Sequence, residues 1–314
     1  MLSYKSIRLW LNKSGPQYAA LAVLSLLCVS SDLFAQDTEP RRWAQMPTGL
    51  NFIGVGTNYT QGDIFLDPVL LAEDVTFKIA GAGLGYIRSF GMFGKLARVG
   101  VSVPYASGRW EGFVDGVYTS IRRRGFLDPR IRLSVLLYGG PAKTPAEFAK
   151  SEKSNTVVGA AVAIKLPLGD YLEDRLINLG KNRWMIRPQL GVTHTRNKWT
   201  YELTGSVFIF GDNDEFWGGN ELESDPLYAL QGHLIYTFRP GLWASLSTAY
   251  GSGLEATING LPKDNKTANW VTAVSVGLPL SRKQGLKFAW LRFRAQAATG
   301  SDQDSLIVGW SLMF

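Results

Sequence analysis

From Thr48 onward apolar and polar side chains alternate with a period of two, in segments near ten residues long that are separated by clusters of Gly, Asn, Asp and Pro. Successive side chains of a strand point to opposite faces, so the pattern predicts strands with one apolar side rather than helices with a period of about 3.6. Strands are expected near 49–60, 75–89, 95–106, 127–138, 155–168, 183–195, 198–210, 226–239, 242–252, 268–280, 286–298 and 304–314. The last of them, "SDQDSLIVGWSLMF", puts Leu306, Val308, Trp310, Leu312 and Phe314 on one face and Ser305, Ile307, Gly309, Ser311 and Met313 on the other.

The links between these strands alternate in length. "GMFG", "TRNK", "RPG" and "SRKQG" are short, whereas links such as "YLEDRLINLGKN" and "GDNDEFWGGNELESD" are long and polar. About ten residues per strand, an even strand count, and short turns opposite long loops are the signature of a transmembrane barrel. In lipid only helices or closed barrels satisfy every backbone group. After the first forty residues no apolar run approaches the roughly 20 residues a spanning helix needs. The expected fold is all-β: an up-and-down antiparallel transmembrane barrel of about 12 strands over residues 48–314. Two stretches depart from the rule. "GGPAKTPAEFAKSEKSN" is long on the short-turn side, and its Thr144, Pro145 and Glu147 predict a brief helix. Residues 104–127 read as one long loop or as an extra hairpin.

Composition adds an address. Lys5, Arg8 and Lys13, then "YAALAVLSLLCVS", then "DLFAQ" follow the basic, apolar, small-residue order of an export signal, with a cut expected after Ala35. Residues 36–47 are then a short periplasmic segment. The single cysteine, Cys28, falls in the signal, where the preceding "SLL" does not match a lipoprotein signal, so the mature chain carries no disulfide and no thiolate metal site. Removing three basic residues and Asp32 brings the net charge from +7 to +5. No nucleic-acid partner is expected.

Sorting each strand into lipid and lumen faces assigns the charges. Ala97, Val99, Val101 and Val103 oppose Arg98, Gly100 and Ser102; Ile131, Leu133, Val135 and Leu137 oppose Arg130, Arg132 and Ser134. The residues expected to line the lumen and set selectivity are Lys78, Arg88, Arg98, Arg130, Arg132, Lys165, Arg187, Glu202, Gln231, His233, Arg292 and Arg294. That lumen is polar and mostly positive, while acids gather in the long links. Inward arginines either line a path that favours anionic or polarisable aromatic solutes, or pair with loop acids folded inward and fill the barrel. Strand 286–298 does not sort cleanly, because Phe288 and Trp290 share a parity with Arg292 and Arg294; either a bulge near Trp290 shifts the register, the preferred explanation, or Trp290 faces inward.

No enzyme is expected. The chain has two histidines, His194 at a strand end on the lipid face and His233 inward, with no metal-like spacing and no His-Ser-Asn run of the outer-membrane phospholipase kind. "GAGLGYIRSFG" superficially matches a dinucleotide loop but no helix follows it. Neither cofactor nor metal is implied.

The order "GYIRSFGMFGKLARVGVSVPYASG", "FLDPRIRLSVLLYGGPA", "AVAIKLPLGDYLEDRLINLGKNRWMIRPQLGVTH" and "PLYALQGHLIYTFRPGLWASLSTAYGSG", with the closing strand, resembles the family described as putative MetA-pathway of phenol degradation, from about Thr48 to Phe314. The resemblance implies a channel in the outer membrane of a Gram-negative bacterium for aromatic or other small hydrophobic compounds. It carries over no ligand-binding set. Trp310 and the terminal Phe314 also resemble the assembly signal of bacterial outer-membrane barrels. Expected partners are outer-membrane lipid and lipopolysaccharide, the barrel-assembly machinery and small organic solutes. The function expected is passive uptake, the alternative a closed structural or interaction barrel.

Overall fold

The computed structural model describes residues 38–65 and 72–314. The expected export signal, 1–35, lies outside the described residues.

The strands are β1 (Asn51–Phe65), β2 (Ala72–Met92), β3 (Lys95–Val114), β4 (Val117–Phe126), β5 (Arg130–Tyr138), β6 (Thr156–Lys165), β7 (Met185–Arg196), β8 (Trp199–Phe210), β9 (Asn213–Phe216) and β10 (Asn220–Ser224). They continue with β11 (Leu227–Arg239), β12 (Leu242–Gly253), β13 (Ala256–Ile258), β14 (Leu261–Pro262), β15 (Thr267–Pro279), β16 (Gln284–Ala295) and β17 (Gly300–Met313). A closed antiparallel barrel of 12 wall positions results. β1 pairs with β17 from Phe52↔Met313 to Phe65↔Gly300, so first and last strands pair and seal the wall. Phe314 extends that ladder, its N–H donating to the Asn51 carbonyl and its carbonyl accepting from the Asn51 N–H, each at 2.9 Å.

The ambiguous stretch 104–127 is an extra hairpin. β3 runs on to Val114, turns at Asp115 and Gly116, both at positive φ, and returns as β4. Two residues at positive φ form the tight turn whose twist matches the flanking strands. β4 and β5 share one edge of β3: Tyr105–Val114 pairs with β4 and Ala97–Ser102 with β5. The far edge of β4 is met by the link 166–184 instead of a strand. Asp170 N–H donates to the Phe126 carbonyl, the Phe126 N–H to Asp170 Oδ2, and Arg123 Nε to the Ile177 carbonyl. Asp128, buried at the break between β4 and β5, accepts from the N–H groups of Gly169 and Lys181.

Two features lie outside the wall. Among the long links, β9, β10, β13 and β14 pair into a four-stranded sheet with its own core of Phe216, Leu222, Ala256 and Ile258. On the short-turn side a helix, α1 (Pro145–Lys150), begins where Thr144 caps it: Glu147 N–H donates to Thr144 Oγ1 and the Glu147 carboxylate accepts from the Thr144 N–H. Among the described residues no helix is long and apolar enough to cross a membrane.

Candidate functional site in the barrel lumen

Cross-strand partners share a face, so the registers settle which side chains point inward. Rows such as Glu202↔His233↔Ser247↔Ala273↔Leu291↔Ser305↔Thr60 run along the inner wall and are buried. Of the twelve residues expected there, Arg98, Arg130, Arg132, Lys165, Arg187, Glu202, Gln231 and His233 point inward. Lys78, Arg88, Arg292 and Arg294 do not. Lys78 and Arg88 lie on the same face of β2 as Leu84 and Tyr86, which pair with the outward Val103 and Val101. The β16 ladder runs without a bulge through Trp290, which is exposed, and this keeps Arg292 and Arg294 outward. Arg88, Arg292 and Arg294 stand near strand ends and Lys78 in the part of β2 that pairs with the β3–β4 hairpin, where a side chain clears the hydrocarbon and charge no longer demands the lumen.

Sequence patterning missed what occupies the lumen. Residues 38–47, the expected periplasmic segment, run inside the barrel. Trp43 is fully buried, its Nε1 donating to Thr204 Oγ1 at 2.8 Å while the Arg132 guanidinium lies 5.6 Å from its ring centroid. It packs with Leu96, Leu136, Val157 and Ala161. Arg42 Nη1 donates to Gln189 Oε1 at 2.9 Å, Arg42 N–H to Glu202 Oε1 at 3.2 Å, and Arg98 Nη2 to the Arg42 carbonyl at 2.6 Å. The wall is cut to fit: a Cβ on inward Gly159 or Gly191 would collide with the Trp43 indole. From below, the link carrying α1 holds the same segment, with Gln45 bonded to Ser154 and Thr48 to the Lys143 carbonyl. A Trp preceded by two arginines shortly before the first strand, with glycines at inward positions, is the sequence signal for this arrangement.

The counter-charges for the inward arginines come from two places. Glu202 interacts with Arg42 and Arg98, and Glu39 of the N-terminal segment with Lys287, Arg42, Arg130 and Arg132. A further correction concerns polarity. Toward the long links the inner wall has an apolar zone, with Met185, Phe208, Leu227, Val271, Leu291 and Phe293 in one buried cluster and Asn269 and Gln303 buried on the same face. Arg187, fully buried, bridges the two zones with its guanidinium 4.2 Å from the Phe208 ring centroid. Barrels of this size fall between those that side chains alone can fill and those that leave an aqueous channel, so cluster and segment together account for the packed interior.

The family model described as Putative MetA-pathway of phenol degradation matches residues 71–306 of this chain. No curated protein sequence matches it. Among solved structures, it is similar to the COG4313 outer membrane channel from Pseudomonas putida F1, with 20% identity over 88% of this chain and 99% of that one and a TM-score of 0.70. The beta domain of the Bordetella autotransporter BrkA, at 9% identity, covers 84% of this chain and 99% of that one with a TM-score of 0.51. The transport unit of the Escherichia coli autotransporter AIDA-I, at 9% identity, covers 95% and 97% with a TM-score of 0.50. These neighbours share the closed β-barrel fold of this chain.

Proposed function

We propose that this chain, which belongs to the Putative MetA-pathway of phenol degradation family, is a conduit in the outer membrane for passive entry of small organic molecules, aromatic ones above all. The observation that carries this reading is the two-zone inner wall. An aromatic solute gains from burial against Phe208, Leu291 and Phe293, and a phenolate or carboxylate on it is drawn onward by Arg187, Arg98 and Arg132. Residues 38–47 act as the obstruction that must shift for passage, after an export signal over 1–35 has been removed from the barrel unit 48–314.

The reading is non-enzymatic. Ser247 Oγ and His233 Nδ1 lie 2.8 Å apart with Glu202 opposite His233, a hydrolase-like composition. The Glu202 oxygens instead accept from Arg42 N–H and Thr193 Oγ1, which leaves the carboxylate engaged elsewhere than on the imidazole. Lipopolysaccharide and the barrel-assembly machinery are proposed partners, the latter through Trp310 and Phe314 on the closing strand.

The buried segment favours a second reading, a permanently closed barrel. Liposome swelling with phenol, benzoate and a neutral sugar separates the two. Faster entry of phenol and benzoate than of sugar supports the conduit, and no entry of any of them supports the closed barrel. Replacing Arg98, Arg130 and Arg132 by Gln should slow benzoate more than phenol.

A further inference from the structure

Cations gather on the outer wall at one place. Arg109 of β3 stands opposite Lys78 of β2 on one side and Arg122 of β4 on the other, and Arg124 lies two positions along β4, opposite Ser107. All four side chains are exposed. Neighbouring strands are about 4.8 Å apart, and like charges placed directly opposite repel. Glu111 on the same face is already engaged by Arg109 and by the Tyr118 hydroxyl. Arg123, between Arg122 and Arg124 in sequence, points the other way and donates to the Ile177 carbonyl at 2.9 Å. The outward cations therefore do not follow from a general abundance of arginine on β4.

Their height on the barrel is specific. Just toward the membrane, Tyr105 and Phe126 meet edge to face at 5.2 Å between centroids, and below them the same face carries Val103, Val101 and Val99, with Ile131 and Leu133 beside them. From Val99 to Arg109 the strand rises roughly 25 Å along the membrane normal at an ordinary barrel tilt, which is the height of the apolar band of such barrels. Aliphatic belt, aromatic pair and cation cluster thus occur in the order acyl chain, interface and phosphate.

We propose that Lys78, Arg109, Arg122 and Arg124 form a binding site for the phosphorylated headgroup of lipid A, the glycolipid anchor of lipopolysaccharide, whose acyl chains lie against Tyr105, Phe126 and the valines of β3. Guanidinium groups bind phosphate through paired N–H donors. One phosphate is satisfied by one or two of them, whereas a row across three strands, about 10 Å wide, fits a headgroup bearing two phosphates. Bound phosphate also removes the repulsion within the row.

The test is titration of diphosphoryl lipid A into the folded full-length barrel, followed by native mass spectrometry. The Arg109→Gln, Arg122→Gln, Arg124→Gln triple variant should bind about tenfold more weakly or worse. Arg88→Gln, an outward cation at the opposite end of β2, should bind as the unaltered protein does. The same glycolipid without phosphates should bind no better to the unaltered protein than diphosphoryl lipid A binds to the triple variant. Equal binding of the triple variant, or of the dephosphorylated glycolipid, overturns the site. Equally tight phosphatidylglycerol, or full displacement by inorganic phosphate at matched concentration, overturns the lipid A assignment. Should the triple variant fail to show heat-modifiable folding, Lys78→Gln and Arg122→Gln singly must each weaken binding for the proposal to stand.

Discussion

Trp43 and Thr204, 161 residues apart in the chain, are joined by a 2.8 Å hydrogen bond from the indole Nε1 to the threonine Oγ1 inside the barrel. The bond ties a segment that belongs to no strand to the middle of β8. Trp43→Ala removes the indole from the pocket that Gly159 and Gly191 leave open, and truncating a buried Trp costs about 3–5 kcal/mol. Because the wall hydrogen bonds do not involve Trp43, that cost falls on docking of the segment. The variant should remain heat-modifiable and show larger single-channel conductance in planar bilayers; unchanged conductance would mean the segment does not limit the path.

Glu202→Gln tests the electrostatic hold on the same segment. The carboxylate accepts from Arg42 N–H at 3.2 Å and from Thr193 Oγ1 at 3.3 Å, and it is buried. Removing one partner from a buried charge cluster costs about 3–5 kcal/mol, and here the loss leaves Arg42 and Arg98 with less compensation. The reversal potential in a salt gradient should move toward anion selectivity. A shift toward cations would show that Glu202 does not border the conducting path.

Face assignment yields a sharper contrast. Val103 is outward and 40% exposed, whereas Ser102 is inward, opposite Arg130. Val103→Arg places a charge in lipid near the middle of the apolar band and should cost about 2–4 kcal/mol in refolding into vesicles, while Ser102→Arg should cost less despite its neighbour. Equal destabilisation at the two positions would contradict the register.

The helix α1 supplies a pH test outside the membrane. The Glu147 carboxyl is held below its ordinary value of 4.5 first by the Thr144 backbone N–H and then by the Thr144 hydroxyl, with Lys143 assisting. A carboxyl depressed in the folded state stabilises above its unfolded value and stops doing so as pH falls through the folded one. Amide protection in residues 145–150 should therefore hold from neutral pH to about 4.5 and fade below it. Thr144→Val should weaken that dependence by removing the hydroxyl's share while the backbone N–H remains, and Glu147→Gln should abolish it; a Gln-variant profile identical to that of the unaltered chain would exclude the Glu147 carboxylate as its origin.

What the sequence determined was the wall. Period-two alternation is a local property, set by the pleat of the strand and the need to keep apolar groups in lipid, so strands such as β8 and β12 are readable within a residue or two. Thr144, Pro145 and Glu147 announce α1 for the same local reason. Alternation does not say how high on the barrel a charge stands, and this is why Lys78, Arg88, Arg292 and Arg294 read as inward while the structure has them outside. Nor does it reach contacts formed across the lumen. The docking of Arg42 on Gln189 and Glu202, the apolar zone around Phe208 and Phe293, and the link that meets the edge of β4 depend on side chains from distant strands that only closure of the barrel brings within bonding distance.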